Sequence, residues 1–252
     1  MDLHDLTART NPAVPVGIGL VEGDPREGEV LAAATFCSVF IYREARAMLG
    51  ALDAGEIQAA VRGSLSSSAF LDELRPRRHT AHARRIALLR LPDGRPFLLG
   101  PVGIDEGGTL AGMRSLARDC REFCGLLGWE PRVAVLSTGR AEDAGRSAAI
   151  ARSIERGERL AAEEPSVRHY HILLEEALDW ANCVIAPDGV TGNLIYRTLT
   201  HLGSGTSLGA LYFPLGLRLA DTSRAGTAEE YLGAIAIANL SVVSGTLPCF
   251  SH

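Results

Sequence analysis

Apolar, β-rich runs recur along the chain at 14–20, 37–42, 86–91, 97–103, 133–137, 183–186 and 209–213. Runs of this length bounded by turn residues read as buried strands, and helical patterns lie between most of them. That alternation predicts an α/β fold with a largely parallel sheet. One pair breaks the rule: RIALLRL and PFLLGPVGI are joined by Pro92-Asp93-Gly94-Arg95, whose Asp-Gly step signals a tight antiparallel hairpin. Helical patterns are strongest over 113–127, 143–162, 173–181, 194–201 and 228–242. The second of these sets Ile150 and Ile154 on one face and charges elsewhere, as a helix covering a sheet should, and Gly157 is expected to end or loosen it.

The stretch VIAPDGVTGNLIYRTLTHLG, 184–203, runs from a strand pattern through a polar turn into a helix pattern. Asp188 is expected just past the carboxyl end of the strand, where ligands bind in open α/β sheets. Gly189 and Gly192 allow close backbone approach, and Thr191 or Asn193 can cap a helix whose amides favour an anion. An ordinary strand-to-helix corner explains the same residues.

Composition narrows the chemistry. No apolar run in the 252 residues approaches the roughly 18 that a membrane span requires, and MDLHDLTART lacks the apolar stretch of a signal peptide, so the reading is a cytoplasmic protein with no membrane association. The net charge of −5 argues against a nucleic-acid partner. All 25 basic residues are arginine, which excludes Schiff-base, P-loop-lysine and lysine-base chemistry. The 5 cysteines, at 37, 120, 124, 183 and 249, read as reduced thiols. Cys120 and Cys124 are one helical turn apart, but no ligand close in sequence completes a metal site; His169-Tyr170-His171 also lacks a carboxylate motif. No metal is expected.

Two further clusters carry candidate chemistry. LADTSRAGTAEEYLG places Asp221, Ser223 and Arg224 before Thr227-Ala228-Glu229-Glu230, a capping box opening the last helix. The cap accounts for Thr227 and Glu230; the hydroxyls and guanidinium ahead of it suit an anionic group, or a solvated loop. VRGSLSSSAFLDELRPRRHTAHARR, 61–85, joins Ser64 and its neighbours to Arg75, Arg77, Arg78, Arg84 and Arg85 with His79 and His82. Such a concentration attracts phosphates or carboxylates, unless it is simply a solvated surface. No GxGxxG follows a strand and no GxSxG elbow occurs.

VAVLSTGR at 133–140, ANCVIAPDGVTGNLIYRTLTHLGSGTSLGALYFPL at 181–215 and LADTSRAGTAEEYLGAIAIA at 219–238 resemble, in order and spacing, the C-terminal half of the phosphate acetyl/butyryltransferase family. VRGSLSSS and RPFLLGPVGIDEG resemble its methanogenesis marker protein 4 branch, also called methyltransferase-related protein MtxX. The resemblance implies an isocitrate/isopropylmalate-dehydrogenase-like, two-lobed α/β fold. One lobe would comprise about 1–104 with 213–252 and the other about 105–212, with an anionic ligand, phosphate or acyl-CoA, between them. It puts Ser223 and Arg224 on the family's charge-stabilising Ser-Arg pair and Glu230 on its catalytic aspartate, one methylene longer here. Asp188, Gly192 and Asn193 fall on a cleft-lining block, Arg75 on an Arg-Pro anion motif, and Ser64 and Asp221 are carried with them as ligand-binding residues. The family's Arg-Gly has become Arg224-Ala225. The implied activity is acyl transfer between coenzyme A, as substrate, and phosphate, in a homodimer. The alternative is a non-catalytic accessory protein linked to methyl transfer or methanogenesis, with a methyltransferase partner. A methyltransferase in its own right has no support in the residues, since no glycine-rich nucleotide loop stands out.

Overall fold

A computed structural model describes residues 1–78 and 83–244, and side chains within these except those of Arg78, Val243 and Ser244. His79, His82 and Cys249 lie outside the described residues. In chain order the elements are α1 (Leu3–Thr7), β1 (Val16–Gly19), α2 (Glu27–Ala33), β2 (Val39–Tyr42), α3 (Ala45–Ala54), β3 (Ala59–Val61), α4 (Ser67–Arg78), β4 (Arg84–Arg90), β5 (Pro96–Gly100) and α5 (Leu110–Leu127). They continue with β6 (Val133–Val135), α6 (Ala148–Glu163), β7 (Val167–His169), α7 (Leu174–Trp180), β8 (Cys183–Ile185), α8 (Gly189–Arg197), β9 (Thr206–Phe213), β10 (Leu219–Asp221) and α9 (Ala228–Ser244).

The chain divides into two compact units, at Ala83/Arg84 and Thr206/Ser207. This division differs from the one implied by resemblance: the hairpin and the segment up to 104 fall with the middle of the chain, not with its start. In the unit formed by the two chain ends, strands run in the order β2-β1-β3-β10-β9. β2, β1, β3 and β10 are parallel, while β9 is antiparallel to β10. In the middle unit the order is β4-β5-β8-β6-β7, with β4 and β5 forming the antiparallel hairpin and the rest parallel. The α/β class, the largely parallel sheet and the Pro92–Arg95 hairpin are as the apolar pattern predicts; the pairing of β9 with β10 is a second antiparallel contact that it does not.

Strand β1 and strands β3, β6 and β8 are buried at every position, the signature of a sheet covered on both faces. The helix covering the first unit, α9, is buried along almost its whole length. It meets the sheet through glycine: a Cβ on Gly233 would stand 2.6 Å from the Leu208 carbonyl oxygen, and one on Gly209 2.7 Å from Ala234. Its Asn239 is fully buried, with Nδ2 donating to the carbonyls of Asn11 and Val14 and Oδ1 accepting from the Asn11 amide.

Local signals explain several helix ends. Thr109 caps α5, which ends at left-handed Gly128, and α3 ends at left-handed Gly55. The expected helix at 143–162 is two elements: a 3₁₀ stretch, Ala141–Arg146, and then α6, capped by Ser147, whose hydroxyl accepts the Ile150 amide. Gly157 neither ends nor loosens α6. It is buried, and the His169 ring packs where its Cβ would be, at 2.6 Å. Among the described residues no helix is long and apolar enough to cross a membrane.

Candidate functional site

In the first unit β1, β3 and β10 run parallel, so the loops that follow them leave the same edge of the sheet. Each supplies part of a fixed frame. Arg62, one residue past β3, is 4% exposed and donates from Nε to Asp221 Oδ1 at 2.5 Å, from Nη1 to the Leu65 carbonyl at 2.5 Å and from Nη2 to the Thr222 carbonyl. Asp221 also accepts from the Tyr212 hydroxyl at 3.2 Å and the Thr222 amide at 3.0 Å. Thr222 Oγ1 donates to the Gly63 carbonyl at 3.1 Å. Asp221 is therefore a buried partner of Arg62, with its carboxylate directed into the frame.

Asp24 and Arg26, from the loop after β1, hold the next part of the chain. Arg26 binds Asp24 through Nε at 2.8 Å and Nη2 at 2.7 Å, and its Nη1 donates to the carbonyls of Arg224 and Gly226, both at 2.9 Å. The Arg26 guanidinium holds the Asp24 carboxyl down at about 2 against the cost of burial, with a contribution from the Ser64 hydroxyl. Ser64 also accepts the Val21 amide at 3.0 Å. Expected as a phosphate donor, Ser64 is here a buried brace between the loops after β1 and β3.

On this frame rides Ser223-Arg224-Ala225. Ser223 is partly exposed and Arg224 exposed, and the Arg224 guanidinium carries no hydrogen bond or ion pair among the described residues. The Thr227 hydroxyl accepts the Glu230 amide at 3.3 Å as an N-cap, and Glu230 Oε1 accepts the Ser223 amide at 2.7 Å. Glu230 is 4% exposed and lies against Gly226, where a Cβ would come within 2.3 Å of Oε2. Its carboxylate is thus engaged in holding the Ser223 backbone. Arg75 is exposed on α4.

In the middle unit the Pro-Asp-Gly-Val-Thr-Gly-Asn block is accounted for by capping and packing. Asp188 accepts the Thr191 amide at 2.8 Å as the N-cap of α8. Cβ atoms on Gly189 and Gly192 would fall 1.6 Å from the Gly103 carbonyl oxygen and 1.9 Å from that of Pro101. Asn193 Nδ2 donates to the Val102 carbonyl at 2.9 Å. These residues seat α8 on the 101–107 loop.

The basic segment is divided. Arg75 and Arg77 belong to the first unit, Arg77 pairing with Asp53 at 3.0 Å and Glu73 at 3.4 Å. Arg84 and Arg85 belong to the second, Arg84 on buried Asp119 at 2.5 Å and Arg85 on Glu106 at 2.6 Å and Asp105 at 3.4 Å. Burial raises the Glu106 carboxyl despite Arg85.

Two clusters weighed in the sequence as metal ligands have partners that spacing does not show. His169 Nε2 lies 3.0 Å from Ser137 Oγ, which donates to the Gly139 carbonyl at 3.0 Å, and the His171 ring is 4.1 Å away. Burial, with the neighbouring His171, pulls His169 down to about 4. Cys183 Sγ is 3.2 Å from Cys124 Sγ; contacts with Cys120 and Cys124, and burial, push the Cys183 thiol up. The partner that Cys120 and Cys124 lack in sequence is supplied from a strand 59 residues beyond Cys124. Even so, among the described residues no group of three or more His, Cys, Asp or Glu is arranged to hold a metal ion.

Strand order and the loops after β3 and β10 define the class: the chain has the fold of the phosphotransacetylases. It is similar to a branched-chain phosphotransacylase from Enterococcus faecalis, with a TM-score of 0.68 and 17% identity over 91% of this chain and 99% of that one. It is also similar to a phosphotransacetylase from Streptococcus pyogenes, with a TM-score of 0.67 and 14% identity over 97% and 100%. At these identities the likeness shows the fold. No family model matches the chain. Among curated proteins it is 38% identical over 201 residues to an uncharacterized methyltransferase of Methanopyrus kandleri, 77% of this chain and 78% of that one. It is 41% identical over 175 residues, 68% of this chain, to the "Putative methyltransferase mtx subunit X" of Methanosarcina barkeri. The chain belongs to this MtxX-related family. It spans 65% of the length of the Methanosarcina barkeri relative.

Proposed function

We propose that the chain binds a phosphorylated or acyl-CoA-type ligand at Ser223-Arg224 and supports acyl transfer between coenzyme A and phosphate. The observation that carries this reading is the contrast within one loop. Asp221, Thr222 and Glu230 are tied into the frame, while the Arg224 guanidinium is exposed and, among the described residues, carries no hydrogen bond or ion pair, beside a partly exposed Ser223. A rigid loop presenting one cation and one hydroxyl suits a phosphate or a thioester oxygen that gains charge in the transition state. A phosphate oxygen would attack the thioester carbonyl and form the acyl–oxygen bond, the C–S bond would break, and the thiolate would leave, taking up the proton that the phosphate gives up. Arg224 would offset the charge and Ser223 would donate a hydrogen bond. In this reading Glu230 and Asp221 position the loop. The other expected contacts, at Arg75, Ser64, Asp188, Gly192 and Asn193, take supporting roles or await a bound ligand. The experiment is thiol release from acetyl-CoA and butyryl-CoA with phosphate. Turnover that falls at least tenfold in Ser223→Ala and Arg224→Gln supports the reading; absence of both turnover and CoA binding by calorimetry overturns it.

A second reading rests on the sequence relatives, whose names are those of methyltransferase proteins. In it the chain is a non-catalytic accessory protein acting with a methyltransferase. Capture of a methyltransferase component by the tagged chain, with no acyl transfer, favours it; capture of none counts against it.

A further inference from the structure

The chain has only 2 tryptophans, and both, Trp129 and Trp180, line one cavity of about 300 Å³. It lies wholly within the Arg84–Thr206 unit. β5, β8 and β6 are parallel neighbours, beginning at Pro96, Cys183 and Val133. The cavity walls come from the segments that enter these strands, so it opens at the end of the strands opposite to Asp188 and the 101–107 loop. Its lining residues include neither Ser223 nor Arg224.

Its walls are held from several directions. The Arg132 amide donates to Asn182 Oδ1 at 2.9 Å, Asn182 Nδ2 donates to the Glu130 carbonyl at 2.9 Å, and Arg95 Nη1 donates to the Leu178 carbonyl at 3.0 Å. Trp180 is pinned by the Arg168 guanidinium 4.1 Å from its ring centroid and by the Tyr170 ring at 6.2 Å, inclined 24°. Arg95 is engaged with Asp93 at 2.7 Å. Arg132 is exposed, and among the described residues its guanidinium has no hydrogen bond or ion pair. With Arg95 offset by Asp93, Arg132 is the cation that the wall has available, and Asp179 is the one acidic residue lining it.

We propose that this cavity is a binding site for a planar aromatic anion of about nucleoside-monophosphate size, its ring against the tryptophans and its anionic group on Arg132. A volume near 300 Å³ is at the lower end of small-molecule sites, and aromatic walls with one placed cation are their usual make-up. Indole rings pack against a flat π-system by face or by edge, while the guanidinium pairs with phosphate or carboxylate. A bare phosphate leaves the indoles unused, and an uncharged nucleoside leaves Arg132 unused; the site selects for both in one molecule.

Because both tryptophans are in the wall, intrinsic fluorescence of the full chain reads occupancy directly. The probes are adenosine 5′-monophosphate, benzoate, adenosine and inorganic phosphate. The expected result is saturable quenching by the monophosphate with sub-millimolar Kd, at least tenfold weaker with adenosine, and at least tenfold weaker again for the monophosphate in Arg132→Gln. Benzoate binding as tightly as the monophosphate assigns the site to small aromatic carboxylates and keeps the proposal. Arg132 is exposed, so Arg132→Gln is expected to keep its circular dichroism spectrum and thermal midpoint. Quenching that does not saturate, that is equal for adenosine and its monophosphate, or that survives unchanged in Arg132→Gln overturns it.

Discussion

Glu230 Oε1 accepts the backbone amide of Ser223 at 2.7 Å, from seven residues further along the chain. The bond ties the first turn of α9 to the loop after β10 and sets where Ser223 and Arg224 stand.

A glutamine keeps an acceptor oxygen at this position and an alanine removes it. Glu230→Gln is therefore expected to retain the proposed coenzyme A binding, whereas Glu230→Ala leaves a partly buried amide without its acceptor, costing about 1 kcal/mol in urea unfolding. If Glu230 is a proton acceptor in turnover, Glu230→Gln abolishes thiol release while keeping stability. The two measurements separate base from brace.

Arg62 and Asp221 are a buried pair, and removing one charge strands the other. Asp221→Ala is expected to cost roughly 3–5 kcal/mol by denaturant titration. Exchange of the exposed Arg224 for Gln should leave the unfolding midpoint within about 0.5 kcal/mol of the parent.

Acid should act in two stages. His169 has its folded pKa lowered from 6.5 to about 4, so the unfolded state takes up a proton first. Stability is full above pH 6.5 and falls as the pH drops from there to about 4. Asp24 is lowered from 3.8 to about 2, so its contribution is present above 3.8 and lost as the pH falls through 2. Unfolding midpoints across pH 7 to 2 should lose the upper stage in His169→Gln and the lower in Asp24→Asn.

Gly189 and Gly192 stand where a Cβ would meet backbone carbonyls, which cannot rotate away. Gly192→Ala is expected to destabilise by roughly 1–3 kcal/mol, while Gly216→Ala, with open space around it, should be near neutral. Equal thermal midpoints for the two variants would contradict the packing role.

Cys37, pushed up to about 11 by burial, and Cys183 should resist thiol reagents in the folded protein. Peptide mapping after maleimide labelling at pH 8 should find both unmodified until denaturant is added. Labelling at native-state rates equal to those of a free thiol would refute this.

The fold class was legible because a buried parallel strand must be apolar at every position. Runs such as Cys183–Ile185 therefore announce themselves, as does an Asp-Gly hairpin. Strands of three residues with mixed patterns, such as Val167–His169 and Leu219–Asp221, escaped, because they are too short for a period. Motif residues were found, but their packing partners were not: Gly192 and Asn193 stand against the carbonyls of Pro101 and Val102, and Asp188 caps α8.

By itself the sequence determined the class of fold, the parallel sheet with its Pro92–Arg95 turn, the exclusion of lysine chemistry and the family. These follow from local periodicity, composition and ordered motifs, which are properties of neighbours along the chain. Only the tertiary structure decided which charges are spent. Arg62 is neutralised by Asp221 from 159 residues away and Arg84 by Asp119, while among the described residues the guanidinium groups of Arg224 and Arg132 carry no hydrogen bond or ion pair. A side chain's availability depends on what folding brings within about 3 Å of it, and that distance has no signature in sequence spacing.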